Sequence, residues 1–149
     1  MTVEITRLGA GTKYPTTELR KIAERLLRSL KQSRAELSIA LVGDREMRPL
    51  NTKYRKKRKT TDVLSFFVED QPMSGAKILG DVVISVEQAR RQATEQGKSL
   101  KSEMVTLLIH GILHLLGYDH EKSPRQAKIM FAYERKLHAH LCDLGLLTV

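Results

Sequence analysis

The feature of this sequence that most constrains its fold is a tract, residues 104–118, that is almost wholly apolar and yet carries two histidines. It reads MVTLLIHGILHLLGY. Ser99 can cap a helix over about 100–116, and Gly117 can end it. The tract is too short and too interrupted by histidine to span a bilayer. It therefore predicts a helix in the core of a globular domain.

The remainder of the chain alternates between short strand-like runs and helical runs. Four runs read as strands, over 3–8, 36–42, 62–67 and 80–86. Further helices are expected to open at Pro15 with Thr16 or Thr17, at Asp44, at residue 86, and at Ser123 with Pro124. Pro49 should make the second of these short or bent, with its end near Asn51. The elements predict one α+β domain over residues 1–149, with about four strands and about five helices.

The charge and the cysteine content narrow the class of protein. The 149 residues include 26 Lys and Arg against 17 Asp and Glu, a net charge of +9. A basic excess of this size favours a polyanionic partner such as nucleic acid. The single cysteine, Cys142, excludes an internal disulfide and a cysteine-rich zinc site. The start, MTVEITRLGAG, lacks the apolar core of a signal peptide, so we expect a cytoplasmic protein with no membrane partner.

Three histidines, at positions 110, 114 and 120, have the spacing of a metal site. His110 and His114 lie about 40° apart around a helix, so both point to one side. A turn through Tyr118 and Asp119 can return His120 to the same point. Three imidazoles with one open position are the ligand set of catalytic zinc, so we predict one Zn²⁺ per chain. Nickel, copper or iron would also accept these ligands. The alternative is three separate histidines, each satisfied by hydrogen bonds.

Gly111 stands where zinc peptidases of the H-E-x-x-H type keep a glutamate. In those enzymes the glutamate is the general base that activates the metal-bound water. Glycine has no side chain, so the base for peptide cleavage is missing from its usual place. The histidine spacing therefore favours metal binding, but the residue between the histidines disfavours proteolysis.

A dense basic tract precedes the third predicted strand. Six of the seven residues from 53 to 59 are basic. A phosphate-binding surface is the functional interpretation, and a solvated loop is the alternative. The tract runs directly into an apolar strand, which places it on the folded body. We predict that it binds phosphate groups through Lys53, Arg55, Lys56, Lys57, Arg58 and Lys59.

Three stretches together closely resemble one known family, the YbeY endoribonucleases that act as ribosomal RNA maturation factors. These stretches are HGILHLLGYDH at 110–120, NTKYRKKRKTTDVLSF at 51–66 and LGDVVIS at 79–85. The resemblance covers most of the chain, from the strand at 36–42 to the last helix. It implies an α+β fold in which the metal-binding helix packs against a small mixed sheet, with the metal site at the end of that core helix.

The resemblance also implies roles for particular residues. The family's zinc ligands fall on His110, His114 and His120, and its functional arginine falls on Arg55. We predict Arg55 and His114 as the catalytic residues, with the guanidinium of Arg55 stabilising phosphoryl charge. Either activated water or the RNA 2′-OH can serve as the nucleophile. Asp119 either orients a ligand histidine or caps the turn.

The implied function is cleavage of single-stranded RNA, in 3′-end maturation of 16S ribosomal RNA and in ribosome quality control. The implied partners are ribosomal RNA and the small ribosomal subunit, with a ribosome-associated GTPase and a small-subunit protein as further candidates. A ribosome-assembly factor with a mainly structural zinc is the first alternative, and a zinc peptidase is the second. We expect Glu134 to be a surface or packing residue. We also expect Phe67, where the family commonly has proline, to alter the loop over 67–78.

Overall fold

A single four-stranded sheet and five α-helices make up the described part of the chain. The computed structural model describes residues 2–55, 62–68, 71–73, 75 and 77–148, and for Tyr54 and Arg55 it describes the backbone alone. The strands are β1 (Thr2–Arg7), β2 (Ala35–Val42), β3 (Val63–Phe67) and β4 (Lys77–Ser85). The α-helices are α1 (Thr17–Ser29), α2 (Asp44–Arg55), α3 (Val86–Gln96), α4 (Leu100–Leu115) and α5 (Pro124–Asp143). A short 3₁₀ helix, Gly9–Lys13, was not predicted.

The sheet has the strand order β1-β2-β4-β3 and is mixed. Strand β2 runs parallel to both β1 and β4, whereas β3 pairs with β4 in the antiparallel direction. Strand β3 therefore forms one edge of the sheet. These observations confirm the predicted α+β class, the mixed sheet and the approximate number of elements. The strand order could not be predicted, because it depends on pairings between distant segments.

The two faces of the sheet are covered by different helices. Side chains alternate along a strand, so Val82 and Ile84 of β4 belong to the main core, in which α1 and α4 take part. Val83, between them, belongs instead to a smaller cluster with Leu64 of β3 and Met47 of α2. The predicted metal-binding helix and the helix that leads into the basic tract thus cover opposite faces.

Helix α4 is the core helix that the apolar tract predicted. Ten of its 16 residues are buried, so it is enclosed by other elements over most of its surface. One of the ten is Glu103, whose carboxylate lies 3.2 Å from the ammonium of Lys98 and accepts a hydrogen bond from the Gln92 amide. Pairing of this kind offsets the cost of burying a charge.

The predicted helix boundaries at both ends of the core helix, and at the start of the last helix, are confirmed. The side-chain oxygens of Ser99 and Ser123 accept hydrogen bonds from the backbone N–H groups of Ser102 and Gln126. Each serine thus satisfies one of the N–H groups that a helix start leaves without a partner. Gly97 ends α3 with a φ of 66°, a left-handed conformation that glycine adopts at little cost.

Helix α2 corrects the prediction that it would end near Asn51. It continues through Pro49 to Arg55. Met47 and Asn51, one turn apart, are both buried, with exposed fractions of 0% and 1%. Met47 belongs to the apolar cluster with Leu64 and Val83 of the sheet, and its burial there offsets the loss of the backbone hydrogen bond that Pro49 cannot donate. In the part of the chain that the structure describes, no helix combines the length and the apolarity needed to cross a membrane.

Candidate metal centre

The three predicted histidine ligands line one cavity of about 450 Å³. His110 and His114 lie in the last turns of α4, and His120 lies in the turn that follows. The facing wall is edge strand β3, which contributes all five of its residues. Asp119 and Glu121 complete the lining.

A glycine turn brings the third histidine back toward the first. Gly117 has a φ of 102°, which side-chain-bearing residues rarely adopt, and this reverses the chain after α4. The N–H of Tyr118 then donates to the carbonyl of Leu113 over 3.1 Å. As a result, the ring centroids of His110 and His120 lie 5.0 Å apart. The turn thus brings His120 close to His110, as the spacing suggested.

Two of the three histidines are held through Nδ1. The Nδ1 of His110 donates to the carboxylate of Glu134 over 2.7 Å, and the Nδ1 of His114 donates to the carbonyl of Tyr118 over 3.1 Å. A donor nitrogen on one side of an imidazole leaves the other nitrogen, Nε2, as an electron-pair donor. Metal-binding histidines in proteins are typically oriented in this way.

His120 differs from the other two histidines. Its Nδ1 is buried and makes no hydrogen bond to the described part of the protein, and its Nε2 lies 3.9 Å from the carboxylate of Glu121. A buried nitrogen without a partner is costly unless a bound group satisfies it. The donor set therefore fits a metal ion. As the side chains stand, however, no three His, Cys, Asp or Glu residues among those described are close enough to hold one.

Gly111 is explained by packing between α4 and the sheet. A Cβ at this position would lie 2.7 Å from a methyl carbon of Val82, so no side chain fits without a shift. The hydroxyl of Ser65 also donates to the Gly111 carbonyl over 3.2 Å. A glutamate here would be directed into the sheet and not into the cavity, which disfavours a peptidase mechanism further.

Asp119 caps the turn. Its carboxylate accepts a hydrogen bond from the N–H of Glu121 over 2.9 Å. This bond, together with the nearby His114 imidazole, holds the pKa of Asp119 below its ordinary value. The side chain also lines the cavity, so its second predicted role, orienting a ligand histidine, stays a prediction.

Glu134 is the residue that the sequence interpretation assigned wrongly. It was expected at the surface or in packing, yet its carboxylate binds His110 and is only 17% exposed. A signal was present, because Glu134 lies on the same helical stripe as the buried Met130, Leu137 and Leu141. A carboxylate in an apolar stripe needs a buried partner.

The family of the chain follows from its sequence and fold together. Residues 5–142 match the sequence pattern of the family described as Endoribonuclease YbeY. The chain belongs to the YbeY endoribonuclease family. The resemblance expected from the three motifs is thereby confirmed over nearly the whole chain.

Curated YbeY relatives are similar at high identity. An Endoribonuclease YbeY of Myxococcus xanthus is 54% identical over 117 residues, which is 77% of this chain and 40% of that protein. One from Aquifex aeolicus is 51% identical over 116 residues, 78% of this chain and 77% of that protein. The chain thus corresponds to under half of the first relative's length and about three quarters of the second's. A Thermotoga maritima protein of known solution structure is similar with a TM-score of 0.64 and 28% identity, over 92% of this chain and 87% of that one.

The basic tract of this YbeY family member lies mostly outside the described residues. Lys53 is exposed on the last turns of α2, and Arg55 ends that helix, but the Arg55 side chain is not described. Residues 56–61, which include Lys56, Lys57, Arg58 and Lys59, also lie outside. Their predicted phosphate contacts, and the catalytic role of Arg55, stay predictions. The same holds for the loop after Phe67, of which residues 69, 70, 74 and 76 are not described.

Proposed function

We propose that this chain cleaves single-stranded RNA at a zinc centre formed by His110, His114 and His120. Membership of the YbeY family supports the enzyme class, an endoribonuclease and hence a hydrolase of phosphodiester bonds. The observation that carries the zinc proposal is the convergence of three imidazoles on one cavity, with Nδ1 of two of them already occupied by acceptors.

The proposed substrate is the precursor of small-subunit ribosomal RNA, cut at the 3′ end of 16S RNA, with a further role in ribosome quality control. The net charge of +9 supports a polyanionic substrate. The small ribosomal subunit, a ribosome-associated GTPase and a small-subunit protein are the proposed partners. Such work would place the protein in the cytoplasm.

Each residue of the site has a separate task in this proposal. When bound, the zinc ion supplies Lewis-acid activation and positive charge beside the scissile phosphate. The Glu134 carboxylate and the Tyr118 carbonyl keep the rings of His110 and His114 turned so that Nε2 is the ligand atom. Arg55 donates hydrogen bonds to the phosphoryl oxygens as charge develops on them. The nucleophile is either activated water or the RNA 2′-OH. A substrate with hydrogen in place of the 2′-OH at the cleavage site distinguishes them, because only attack by the 2′-OH requires that group.

The decisive test measures metal content and RNA cleavage in the same preparations. We expect His114→Ala to lose both bound zinc, by elemental analysis, and cleavage of a defined ribosomal RNA precursor. The matched control is His140→Ala, because His140 lies near the end of α5 and outside the cavity. That variant should keep both properties, and a chelator should abolish cleavage by the native protein. Full zinc occupancy in His114→Ala would refute the ligand assignment.

The second candidate is an assembly factor whose metal is structural. It is favoured by one observation: the His110 and His120 rings bring the end of α4 and the following turn together, and Glu134 ties α4 to α5. A metal there would hold three segments together whether or not it did chemistry. A complementation experiment separates the candidates. If a folded metal-ligand variant restores ribosome maturation in cells, binding is sufficient and the enzyme proposal fails.

A further inference from the structure

Two exposed phenylalanines border the histidine cluster, each beside a different histidine. Phe67, at the end of edge strand β3, is 56% exposed, and its ring centroid lies 5.9 Å from that of His114. Phe131, on α5, is 43% exposed, and its ring centroid lies 6.0 Å from that of His120. The chain has only three phenylalanines and no tryptophan, so two of its three largest apolar rings are exposed beside this one site.

The third phenylalanine shows that this exposure is specific to position. Phe66 adjoins Phe67 in β3 and also borders the cavity, but it is partly buried against the smaller apolar cluster on the other face of the sheet. A single exposed apolar side chain needs no explanation. Two aromatic rings that both border a cluster of candidate ligands are a different observation, because each leaves a large flat surface open where a substrate must approach.

Phe131 also has cations beside it. Lys128 and Arg135 lie three residues before and four residues after it on α5, so they share its side of the helix, and both are exposed. Phe131 and Arg135 line a second cavity of about 340 Å³ between α4 and α5, and Glu134 borders it too. Its volume is within the range of small-ligand sites. Proteins that bind single-stranded nucleic acid combine aromatic rings, on which bases stack, with basic side chains that contact the phosphates, and both features are present here.

We propose that Phe67 and Phe131 are stacking platforms for two unpaired bases, one on each side of the phosphodiester that is cleaved. The proposal rests on the proposed ribonuclease function and adds the residues that position the substrate. The base on Phe131 is held with its phosphates near Lys128 and Arg135. A base in a duplex is stacked on its neighbours and unavailable to either ring, so the two platforms select unpaired RNA.

Alanine variants test the proposal through KM. Phe67→Ala and Phe131→Ala should each raise KM for a short single-stranded RNA by about fivefold to a hundredfold, from the usual contribution of base stacking. The kcat and the zinc content should stay near their native values, because neither ring contacts the reacting phosphate in this arrangement. The matched controls are Ile129→Ala, at 42% exposure on the same helix, and Met73→Ala, exposed in the loop after β3. Both controls should keep the native KM.

Conservative variants separate stacking from simple packing. Phe131→Tyr should keep the native KM, whereas Phe131→Leu, similar in volume and apolar but not aromatic, should behave like the alanine variant. A native KM in Phe131→Leu would overturn the stacking role. So would an unchanged KM in either alanine variant, because the proposal requires both platforms.

A binding experiment distinguishes failure of this proposal from failure of the proposed function. Short RNAs that carry 2-aminopurine at successive positions report stacking by loss of fluorescence, and the measurement is made with chelator present, so cleavage is not needed. We expect two positions to be quenched by the native protein, one restored by Phe67→Ala and the other by Phe131→Ala. Quenching without cleavage in zinc-loaded protein would refute the nuclease function alone. Cleavage by native protein with no variant-dependent quenching would refute the platforms alone.

Discussion

The two oriented histidines of the candidate metal centre are held by unlike parts of the molecule. On one side, His114 is held by the Tyr118 carbonyl, four residues further along the chain. On the other side, His110 is held by the Glu134 carboxylate, which is 24 residues away and on another helix. The first support is local, neutral and part of the backbone. The second is charged, remote and present only if α5 packs correctly on α4.

This difference indicates that the orientation of His110 is more sensitive to a single substitution than that of His114. A backbone carbonyl cannot be removed by changing a side chain. The hydrogen bond that orients His114 is therefore weakened only if the conformation of its turn changes. The His110 half depends on one carboxylate, and that carboxylate also adds negative charge, which increases the electron-donating strength of the imidazole. The following predictions are arranged by the size of the expected effect.

The largest effect is expected from removal of the charged support. Glu134→Ala should weaken zinc binding by about tenfold to a hundredfold, because the His110 ring loses its fixed orientation. Glu134→Gln, which keeps an acceptor oxygen but no charge, should have a smaller effect. The measurement is zinc affinity by competition with a chromogenic chelator. Glu95→Gln, at an exposed position on α3, is the control. Native affinity in Glu134→Ala would show that the hydrogen bond to His110 does not support a ligand.

A smaller effect is expected from strain in the local support. Gly117→Ala should destabilise the fold by about 1–3 kcal/mol, since a φ of 102° is unfavourable for a residue with a Cβ. The variant should also weaken zinc binding, because the turn carries both the Tyr118 carbonyl and His120. Gly97→Ala is a matched control, with a φ of 66° and open space around the new methyl group. It should lower stability in denaturant titration but leave zinc affinity unchanged.

The smallest effect is expected at the contact between the turn that supports His114 and helix α5, which supports His110. The ring of Tyr118 packs edge-on against Tyr133 of α5, with centroids 5.5 Å apart. Tyr133→Leu should cost about 0.5–1.5 kcal/mol of stability, as an aromatic pair is lost. Zinc affinity should change less than twofold if the turn alone positions the His114 support. A large loss of zinc affinity would mean that α5 positions the support of His114 as well as that of His110. The two histidines would then not differ in this respect.

Local signals in the sequence were sufficient where one segment decides its own structure. Ser99, Gly117 and Ser123 marked helix boundaries correctly because capping involves only neighbouring residues. The placement of the three histidines around one cavity was predictable for the same reason, since helix periodicity and one glycine turn position all of them. The end of α2 was predicted wrongly, because burial of Met47 in one cluster with Leu64 and Val83 of the sheet is a tertiary effect.

The sequence by itself determined the α+β class, the core helix α4 and the three candidate ligands, because each depends on spacing along a short segment. Only the tertiary structure decided the strand order, the support of His110 by Glu134 and the positions of Phe67 and Phe131 around the cluster. Gly111 is explained partly by the sequence and partly by the tertiary structure. Its identity ruled out a catalytic glutamate, but only the contact with Val82 explains why a glycine is required there. Spacing positions side chains along one element, whereas packing alone decides which elements meet.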